Sequence, residues 1–194
     1  MKYLVINKLT KSYGNNLIFQ DLSLKLESDK VYFLTSENGS GKTTFLKCLL
    51  KETFYEGEIF DKNLKYVYLP ERPLVPDYIR MNTFLNTFFL FEHKSVNEIV
   101  INHYLSEFEI SRFKDSFIKN LSKGSKQKMM IVKTLLEEGD IYLFDEPLSG
   151  LDQKSRKKFM DFIYALNKED KIIIIATHYY DDYYFTNKER IILR

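Results

Sequence analysis

The sequence predicts an α/β fold with a mainly parallel sheet core, an antiparallel β edge and an inserted helical subdomain. Unbroken apolar runs at residues 31–34, 141–144 and 172–175 are typical of strands buried on both faces of a parallel sheet. In residues 78–120 the apolar positions instead recur at helical spacing, with no β-like run between them. This order of elements favours a parallel sheet wrapped by helices, with a helical lobe attached.

The first strands come before the earliest apolar run. Residues 3–9 and 17–26 alternate apolar and polar positions, and the turn residues Gly14, Asn15 and Asn16 separate them. We therefore expect two antiparallel edge strands. Tyr13 precedes this turn, and its ring could either stack on a flat base or cover its own hairpin.

A glycine-rich stretch, residues 36–44, follows the apolar run 31–34 and reads Ser-Glu-Asn-Gly-Ser-Gly-Lys-Thr-Thr. Its two glycines can adopt backbone angles closed to other residues, so that successive N–H groups line one concavity. Lys42 adds a mobile positive charge, and Thr43 adds a hydroxyl for Mg²⁺. The pattern predicts a phosphate-binding P-loop that opens a helix over 42–51.

The P-loop departs from the pattern G-x-x-x-x-G-K-[ST] at its first position, where Ser36 replaces glycine. A Cβ at this position strains the loop by about 1–2 kcal/mol if φ is positive and costs nothing otherwise. Turn chemistry alone does not explain a lysine and a threonine directly after the second glycine. The motif therefore still favours phosphate binding.

The middle of the chain is expected to be a helical lobe. Short strands at 58–60 and 65–69 come first, and prolines from Pro70 onward close the first lobe. The phenylalanines of 78–120 are expected to form the core of the helical lobe, although some could form an exposed patch for a partner. The predicted division of a single domain, 1–194, is a β lobe of 1–72 and 137–194 and a helical subdomain of 73–136.

Residues 121–128, Leu-Ser-Lys-Gly-Ser-Lys-Gln-Lys, introduce a further helix. Ser122 is a good N-cap candidate. Serine, glycine and several lysines at a helix start also suit an anion, so capping and a second anion site remain equally supported. After the acidic strand we expect a turn at 149–152, a helix over 153–167 and a closing strand over 190–193.

Polar side chains follow two of the buried strands. Asp145 and Glu146 come after the run 141–144, and His178 comes shortly after the run 172–175. The carboxyl ends of parallel strands meet at the edge of the sheet where α/β proteins bind ligands. Buried carboxylates need partners, so we expect a divalent cation and a water beside Asp145 and Glu146.

Composition excludes several function classes. A net charge of +2 gives no reason to expect nucleic acid or an anionic membrane surface as the main partner. The single cysteine, Cys48, excludes an internal disulfide and a multi-cysteine metal site, and its apolar neighbours indicate a packing role. The N-terminal residues do not resemble a secretory signal, and residues 81–91 are too short and polar to span a membrane.

Taken in order, these stretches resemble the nucleotide-binding domain of ATP-binding-cassette (ABC) proteins, and the resemblance covers nearly the whole chain. Its fold is an α/β P-loop NTPase with an inserted helical subdomain. The matching parts are the P-loop 36–43, the signature loop 121–125, the Walker B strand 141–146 with its glutamate, the D-loop 149–152, the switch histidine His178 and the adenine-stacking aromatic Tyr13.

The resemblance implies an ATPase with ATP and Mg²⁺ as its ligands. Glu146, His178 and Lys42 would be catalytic: Glu146 activates the attacking water, His178 positions it at the γ-phosphate, and Lys42 holds the β- and γ-phosphates. The implied metal ligands are Thr43, Asp145 and Glu71, where Glu71 stands at the position of the family's Q-loop glutamine. The implied nucleotide-binding residues are Tyr13, Ser36, Asn38, Gly39, Ser40, Gly41, Lys42, Thr43 and Thr44, with Ser122 and Gly124 contributed by a second subunit.

The resemblance also implies partners and a location. Two ATPase subunits, identical or different, would enclose two ATP molecules and drive a separate membrane-spanning permease. The chain would then be cytoplasmic and bound to the inner face of the cell membrane through that permease. Lys123 and the Pro70-Glu71 loop are similar to exporter ATPase subunits, so export is favoured over import.

Two alternatives remain open. A soluble ABC-type regulatory or mechanical ATPase would act in translation or DNA repair, although the short interval between P-loop and signature loop contains no sustained heptads. A domain that binds nucleotide without hydrolysis would be consistent with Ser36, Glu71 and Ser125. Intact Lys42 and Glu146 oppose that alternative.

Overall fold

The structure, a computed structural model, describes residues 1–28, 30–37, 39–91 and 97–193, which form two compact units. The first unit is Met1–Pro70, Glu138–Pro147 and Ile163–Arg194, and the second is Glu71–Glu137 and Leu148–Phe162. This grouping differs from the division expected from the sequence mainly at Leu148–Phe162, which the sequence assigned to the β lobe. Among the described residues, no helix has both the length and the apolar character needed to cross a bilayer.

Among the described residues, eight strands and five α-helices make up the two units. The strands are β1 (Tyr3–Tyr13), β2 (Asn16–Glu27), β3 (Val31–Leu34), β4 (Glu56–Phe60), β5 (Tyr66–Leu69), β6 (Ile141–Asp145), β7 (Ile172–Ala176) and β8 (Lys188–Ile191). The helices are α1 (Lys42–Leu49), α2 (Met81–Phe91), α3 (Glu98–Glu107), α4 (Lys123–Leu136) and α5 (Gln153–Leu166). Three short 3-10 helices lie at Ser111–Phe113, Ile118–Asn120 and Tyr180–Asp182.

The main sheet of the first unit is parallel, as the sequence predicts. Its order is β5-β6-β7-β3-β8, and every neighbouring pair runs parallel. β3, β6 and β7 are buried along their whole length, which explains their unbroken apolar sequences. Ala176 is paired with both Leu34 and Asp145, so the residues that follow these three strands emerge at one edge.

The antiparallel sheet of the first unit contains the predicted hairpin. β1 pairs with β2 and also, on its other side, with β4, giving the order β2-β1-β4. The prediction of two antiparallel strands is therefore confirmed, but β1 is the central strand rather than an edge strand. The hairpin packs on α1, where Phe19 and Phe45 meet edge to face with ring centroids 6.1 Å apart. Truncation of either buried ring to alanine should cost about 3–5 kcal/mol.

The second unit is helical and contains α2, α3, α4 and the first part of α5. Its core includes Leu85 and Phe89 of α2 together with Ile101 and Leu105 of α3, all of which are buried. Ile99, which shares the apolar spacing of this segment, is 74% exposed. The helical spacing therefore identified the lobe, but not every apolar residue in it contributes to the core.

Candidate active site

The P-loop connects β3 to α1 and needs glycine at Gly41. Gly41 is the N-cap of α1 with φ 95°, and a Cβ there would lie 2.3 Å from Ile18 Cγ2. Gly39 also has a positive φ, 80°. No side chain of the described residues caps α1, so its first N–H groups are free to bind an anion. Asn38, an expected nucleotide ligand, lies outside the described residues.

Lys42 is held inside the P-loop. Its ammonium donates to the carbonyl oxygens of Ser36 at 2.6 Å and Glu37 at 3.1 Å, and the residue is 7% exposed. Burial lowers the pKa of Lys42, while the charges of Glu146 and Asp145 act in the opposite direction. A phosphate beside this ammonium would favour its charged form.

Two serine hydroxyls of the P-loop are ready for a ligand. Ser36 is not among the residues with positive φ, so its substitution for glycine does not strain the loop. The Oγ atoms of Ser36 and Ser40 are buried, and no described residue provides either with a hydrogen-bond partner. Because an unpaired buried hydroxyl is costly, these atoms fit a bound phosphate. Thr44 is half-buried beside Thr43.

Thr43 links the P-loop to the acidic strand. Its hydroxyl donates to Asp145 Oδ2 at 2.7 Å, and Asp145 is 2% exposed at the end of β6. A hydroxyl and a carboxylate at hydrogen-bond distance are oxygen donors of the kind that hold Mg²⁺ together with substrate phosphates. These two residues therefore fit the magnesium site that the sequence predicts.

Glu146 and His178 are brought together from two strand ends. His178 Nε2 lies 3.1 Å from Glu146 Oε1, and the His178 backbone N–H faces Oε2 at 3.4 Å. The pKa of Glu146 is raised, chiefly by burial, although His178 and Lys42 act in the opposite direction. The backbone of Glu146 is left-handed, with φ 46°, and its N–H donates to the carbonyl of Ala176 at 2.8 Å. A buried carboxyl with a raised pKa suits proton transfer near neutral pH.

Tyr13 ends β1 and is 50% exposed. It pairs with Asn16, two residues before the Ile18 side chain that faces Gly41. The end of the hairpin therefore lies beside the P-loop. The first unit thus brings together the P-loop, Asp145, Glu146 and His178, with Tyr13 on an adjoining hairpin.

The signature-loop residues lie in the second unit. Ser122 caps α4, as expected: its Oγ accepts the Ser125 N–H at 3.1 Å and donates to Ser125 Oγ at 3.0 Å. A Cβ on Gly124 would lie 2.8 Å from the carbonyl oxygen of Gly150, so this position also needs glycine. Glu71 belongs to the same unit, and its Oε1 is 4.0 Å from Arg72 Nε.

The sequence placed Lys128 among the lysines at the start of α4 but did not indicate its partner. Lys128 Nζ is 2.5 Å from Asp152 Oδ2. The other carboxylate oxygen of Asp152 accepts the Ser155 N–H at 2.8 Å. Hydrogen bonds from Lys128 and Ser155 lower the pKa of Asp152. No local pattern could reveal this contact, because Asp152 lies on a later turn of the chain.

Comparison with known proteins decides the family. The family model described as ABC transporter matches residues 19–149, which is more than half of the chain. The chain belongs to the ABC transporter family. Its ABC relatives include an ATP-binding protein of Methanocaldococcus jannaschii, 35% identical over 179 residues, covering 89% of this chain and 67% of that protein. The zinc import ATP-binding protein ZnuC of Rickettsia bellii is 32% identical over 177 residues, covering 89% and 74%.

A solved structure gives the same family. An ABC transporter ATP-binding protein from Pyrococcus furiosus superposes with a TM-score of 0.79 at 26% identity, covering 97% of this chain and 96% of that one. The predicted α/β P-loop NTPase fold is thereby confirmed. ABC domains of this kind bind and hydrolyse ATP, so the chain is an ATPase. ATP-binding subunits of ABC transporters work with membrane permease subunits.

Proposed function

We propose that this ABC protein is the ATP-hydrolysing subunit of an exporter, working as a nucleotide-sandwich dimer that drives a separate transmembrane subunit. The observation that carries the proposal is the 2.7 Å hydrogen bond between Thr43 and Asp145. It joins the P-loop to the end of β6, and Glu146, the next residue, contacts His178. The groups needed to bind a triphosphate and to activate water therefore lie on adjoining elements of one unit.

Phosphate binding is assigned to the P-loop. The Lys42 ammonium would exchange its carbonyl partners for the β- and γ-phosphate oxygens. The hydroxyls of Ser36 and Ser40 and the N–H groups at the start of α1, including Thr44, would donate to the same phosphates. Backbone groups of the segment 39–41 would complete this cradle.

Thr43 and Asp145 would hold Mg²⁺ through a hydroxyl and a carboxylate oxygen. When bound, Mg²⁺ neutralises negative charge on the phosphate oxygens. Asp145 is nearly fully buried, so its carboxylate stays in one position against Thr43. This fixed pair keeps the P-loop and β6 aligned through turnover.

Glu146 would accept hydrogen bonds from the attacking water and take its proton. Its raised pKa supports this role, because a proton acceptor should have a pKa near the working pH. His178 would hold the Glu146 carboxylate and donate to the γ-phosphate. Positioning and charge supply most of the catalysis in phosphoryl transfer, so loss of either side chain should slow turnover far more than it unfolds the chain.

A second subunit would complete each site with its Ser122 and Gly124. The Ser122 hydroxyl and the start of α4 give that surface donors for an anion. A membrane permease would then hold the pair at the inner face of the membrane. The support for export is the similarity of Lys123 and the Pro70-Glu71 loop to exporter subunits, whereas the named relatives include the zinc import protein ZnuC.

Phosphate release tests the hydrolytic role. The Lys42→Ala variant should release phosphate at least about 100-fold more slowly than the wild type, because it loses a charge aimed at the transferred group. Lys47→Ala is the matched control, since Lys47 is an exposed lysine on the same helix. Wild-type turnover no faster than that of Lys42→Ala, measured with the membrane partner present, would contradict the proposal.

Purification from membranes tests the transport role. The tagged chain should recover a protein with several membrane-spanning segments. Recovery with ribosomes or DNA alone would instead support the soluble regulatory ATPase. With the recovered complex in inverted vesicles, external ATP should drive labelled cell metabolites inward. Accumulation only in right-side-out vesicles would show import.

A further inference from the structure

We infer that Lys11 is a positioning residue that fixes the Tyr13 ring as a preformed platform for the nucleotide base. The inference rests on the proposed ATPase function and on the adenine-stacking role of Tyr13 that the resemblance to ABC proteins implies. It concerns a side chain that neither the sequence patterns nor the family motifs assigned. A buried cation next to an exposed ring carries the argument.

Lys11 is a buried lysine at the end of the hairpin. It is 6% exposed, and its Nζ donates to the carbonyl oxygen of Phe54 at 2.7 Å. The same Nζ lies over the Tyr13 ring, 4.1 Å from its centroid. Lys11 and Tyr13 are two residues apart on β1, so their side chains leave the strand on the same face. The carbonyl holds the ammonium in place, and the ammonium holds the ring through a cation–π contact.

The hairpin contacts the chain on both sides of the P-loop helix α1. Phe54 follows α1, so the Lys11 ammonium connects β1 to the segment after that helix. At the start of α1, Ile18 of β2 faces Gly41. The platform is therefore fixed relative to the phosphate cradle, which a base and a triphosphate of one nucleotide require.

The consequence for binding is a lower ordering cost. Lys11 covers one face of the Tyr13 ring, while the residue as a whole remains 50% exposed, which leaves the other face for a flat base. A ring that is already fixed loses little side-chain freedom when a nucleotide binds. Removal of the ammonium should therefore weaken the binding of nucleotides, which carry a base, and leave the binding of a bare polyphosphate unaffected.

Calorimetric titration with two probes, Mg-ATP and Mg-tripolyphosphate, tests the inference. Lys11→Met keeps the buried aliphatic part of the side chain and removes the charge. We expect it to lower the affinity for ATP about 3- to 10-fold without changing the affinity for tripolyphosphate. Lys11→Arg, which keeps a cation over the ring, should recover most of the ATP affinity. Lys62→Met is the matched control, because Lys62 Nζ lies 4.4 Å from the centroid of another ring, Tyr3, in the same sheet. Both affinities should stay unchanged in that variant.

A double-variant cycle with Tyr13→Leu separates the outcomes. Tyr13→Leu should lower the affinity for ATP but not that for tripolyphosphate. Adding Lys11→Met to Tyr13→Leu should lower the ATP affinity no further. Equal weakening of both probes by Lys11→Met, an unchanged ATP affinity, or an undiminished effect in Tyr13→Leu would overturn the inference. An unchanged ATP affinity in Tyr13→Leu would also overturn it, while phosphate binding stands. Failure of the wild type to bind either probe would instead contradict the proposed function.

Discussion

Alanine substitutions at Gly41 and Gly39 should destabilise the chain by different amounts, and the structure gives the size of each. Both have positive φ, 95° and 80°, so alanine at either position carries a backbone cost of at least about 1–2 kcal/mol. Only Gly41 also has a neighbour in the way, since its added Cβ would lie 2.3 Å from Ile18 Cγ2. At Gly39 a Cβ would meet no atom of the described residues within 4 Å.

The steric part of the Gly41→Ala cost resembles overpacking, which is worth about 1–3 kcal/mol. We therefore expect Gly39→Ala to lose about 1–2 kcal/mol of unfolding free energy and Gly41→Ala about 2–5 kcal/mol. For a chain of this length, each 1 kcal/mol lowers the melting temperature by about 2–4 °C. Gly41→Ala should also weaken ATP binding more than Gly39→Ala does, because the clash with Ile18 moves the hairpin away from the P-loop.

Urea unfolding followed by far-ultraviolet circular dichroism measures these differences, since the chain contains no tryptophan to serve as a fluorescent probe. Ile18→Ala removes the opposing methyl group. In a double-variant cycle, Ile18→Ala should restore about 1–3 kcal/mol of the unfolding free energy lost by Gly41→Ala and none of that lost by Gly39→Ala. Equal stabilities of the two single glycine variants, or an absence of coupling with Ile18, would refute this account of the P-loop.

Three further predictions concern single side chains. Because the fold raises the pKa of Glu146, the charged carboxylate destabilises the folded chain at high pH. The Glu146→Gln variant should therefore have a higher melting temperature than the wild type at pH 8. This difference should vanish as the pH falls toward about 4, where the carboxyl group is protonated in both the folded and the unfolded chain. Burial raises the pKa of Cys48 to about 11, so a thiol reagent at pH 8 should label the native chain at least about 100-fold more slowly than the urea-unfolded chain. Asp152→Ala removes both the partner of Lys128 and the cap on the Ser155 N–H and should cost about 1–2 kcal/mol in urea unfolding, whereas Asp152→Asn keeps a capping oxygen and should cost less.

Local chemistry was sufficient to predict most of the sheet and the groups at its edge. The P-loop and the pair Asp145-Glu146 each follow a run of apolar residues, and parallel pairing alone brings such strand ends together. Ser122 as an N-cap is equally local. These predictions needed no knowledge of distant contacts.

The predictions that differ from the structure depend on long-range pairing. β1 is central because β4 adds to its free side, and nothing within residues 3–9 encodes that partner. The last strand begins at Lys188, two residues before the predicted 190–193, because β8 is an edge strand and an edge tolerates exposed charged residues. The apolar pattern therefore placed it too far along the chain.

The side-chain contacts that the sequence did not predict have the same cause. Lys11 finds its acceptor at Phe54 and Lys128 finds Asp152, and both contacts join segments far apart in sequence. The backbone angle of Ser36 is likewise set by the folded loop, because a positive φ is disfavoured for serine but not forbidden by its residue type. Motifs thus predicted groups that could contact the nucleotide, but not the contacts that Lys11 and Lys128 make with distant segments.

In the proposed mechanism Glu146 activates the water that hydrolyses ATP, and a second chain completes the site. The most direct measurement is the mass in solution of purified Glu146→Gln with and without Mg-ATP. We expect a monomer of 23.2 kDa without nucleotide and a stable dimer with ATP, because the variant binds the nucleotide and does not consume it. A variant that binds ATP and keeps the monomer mass would contradict the account.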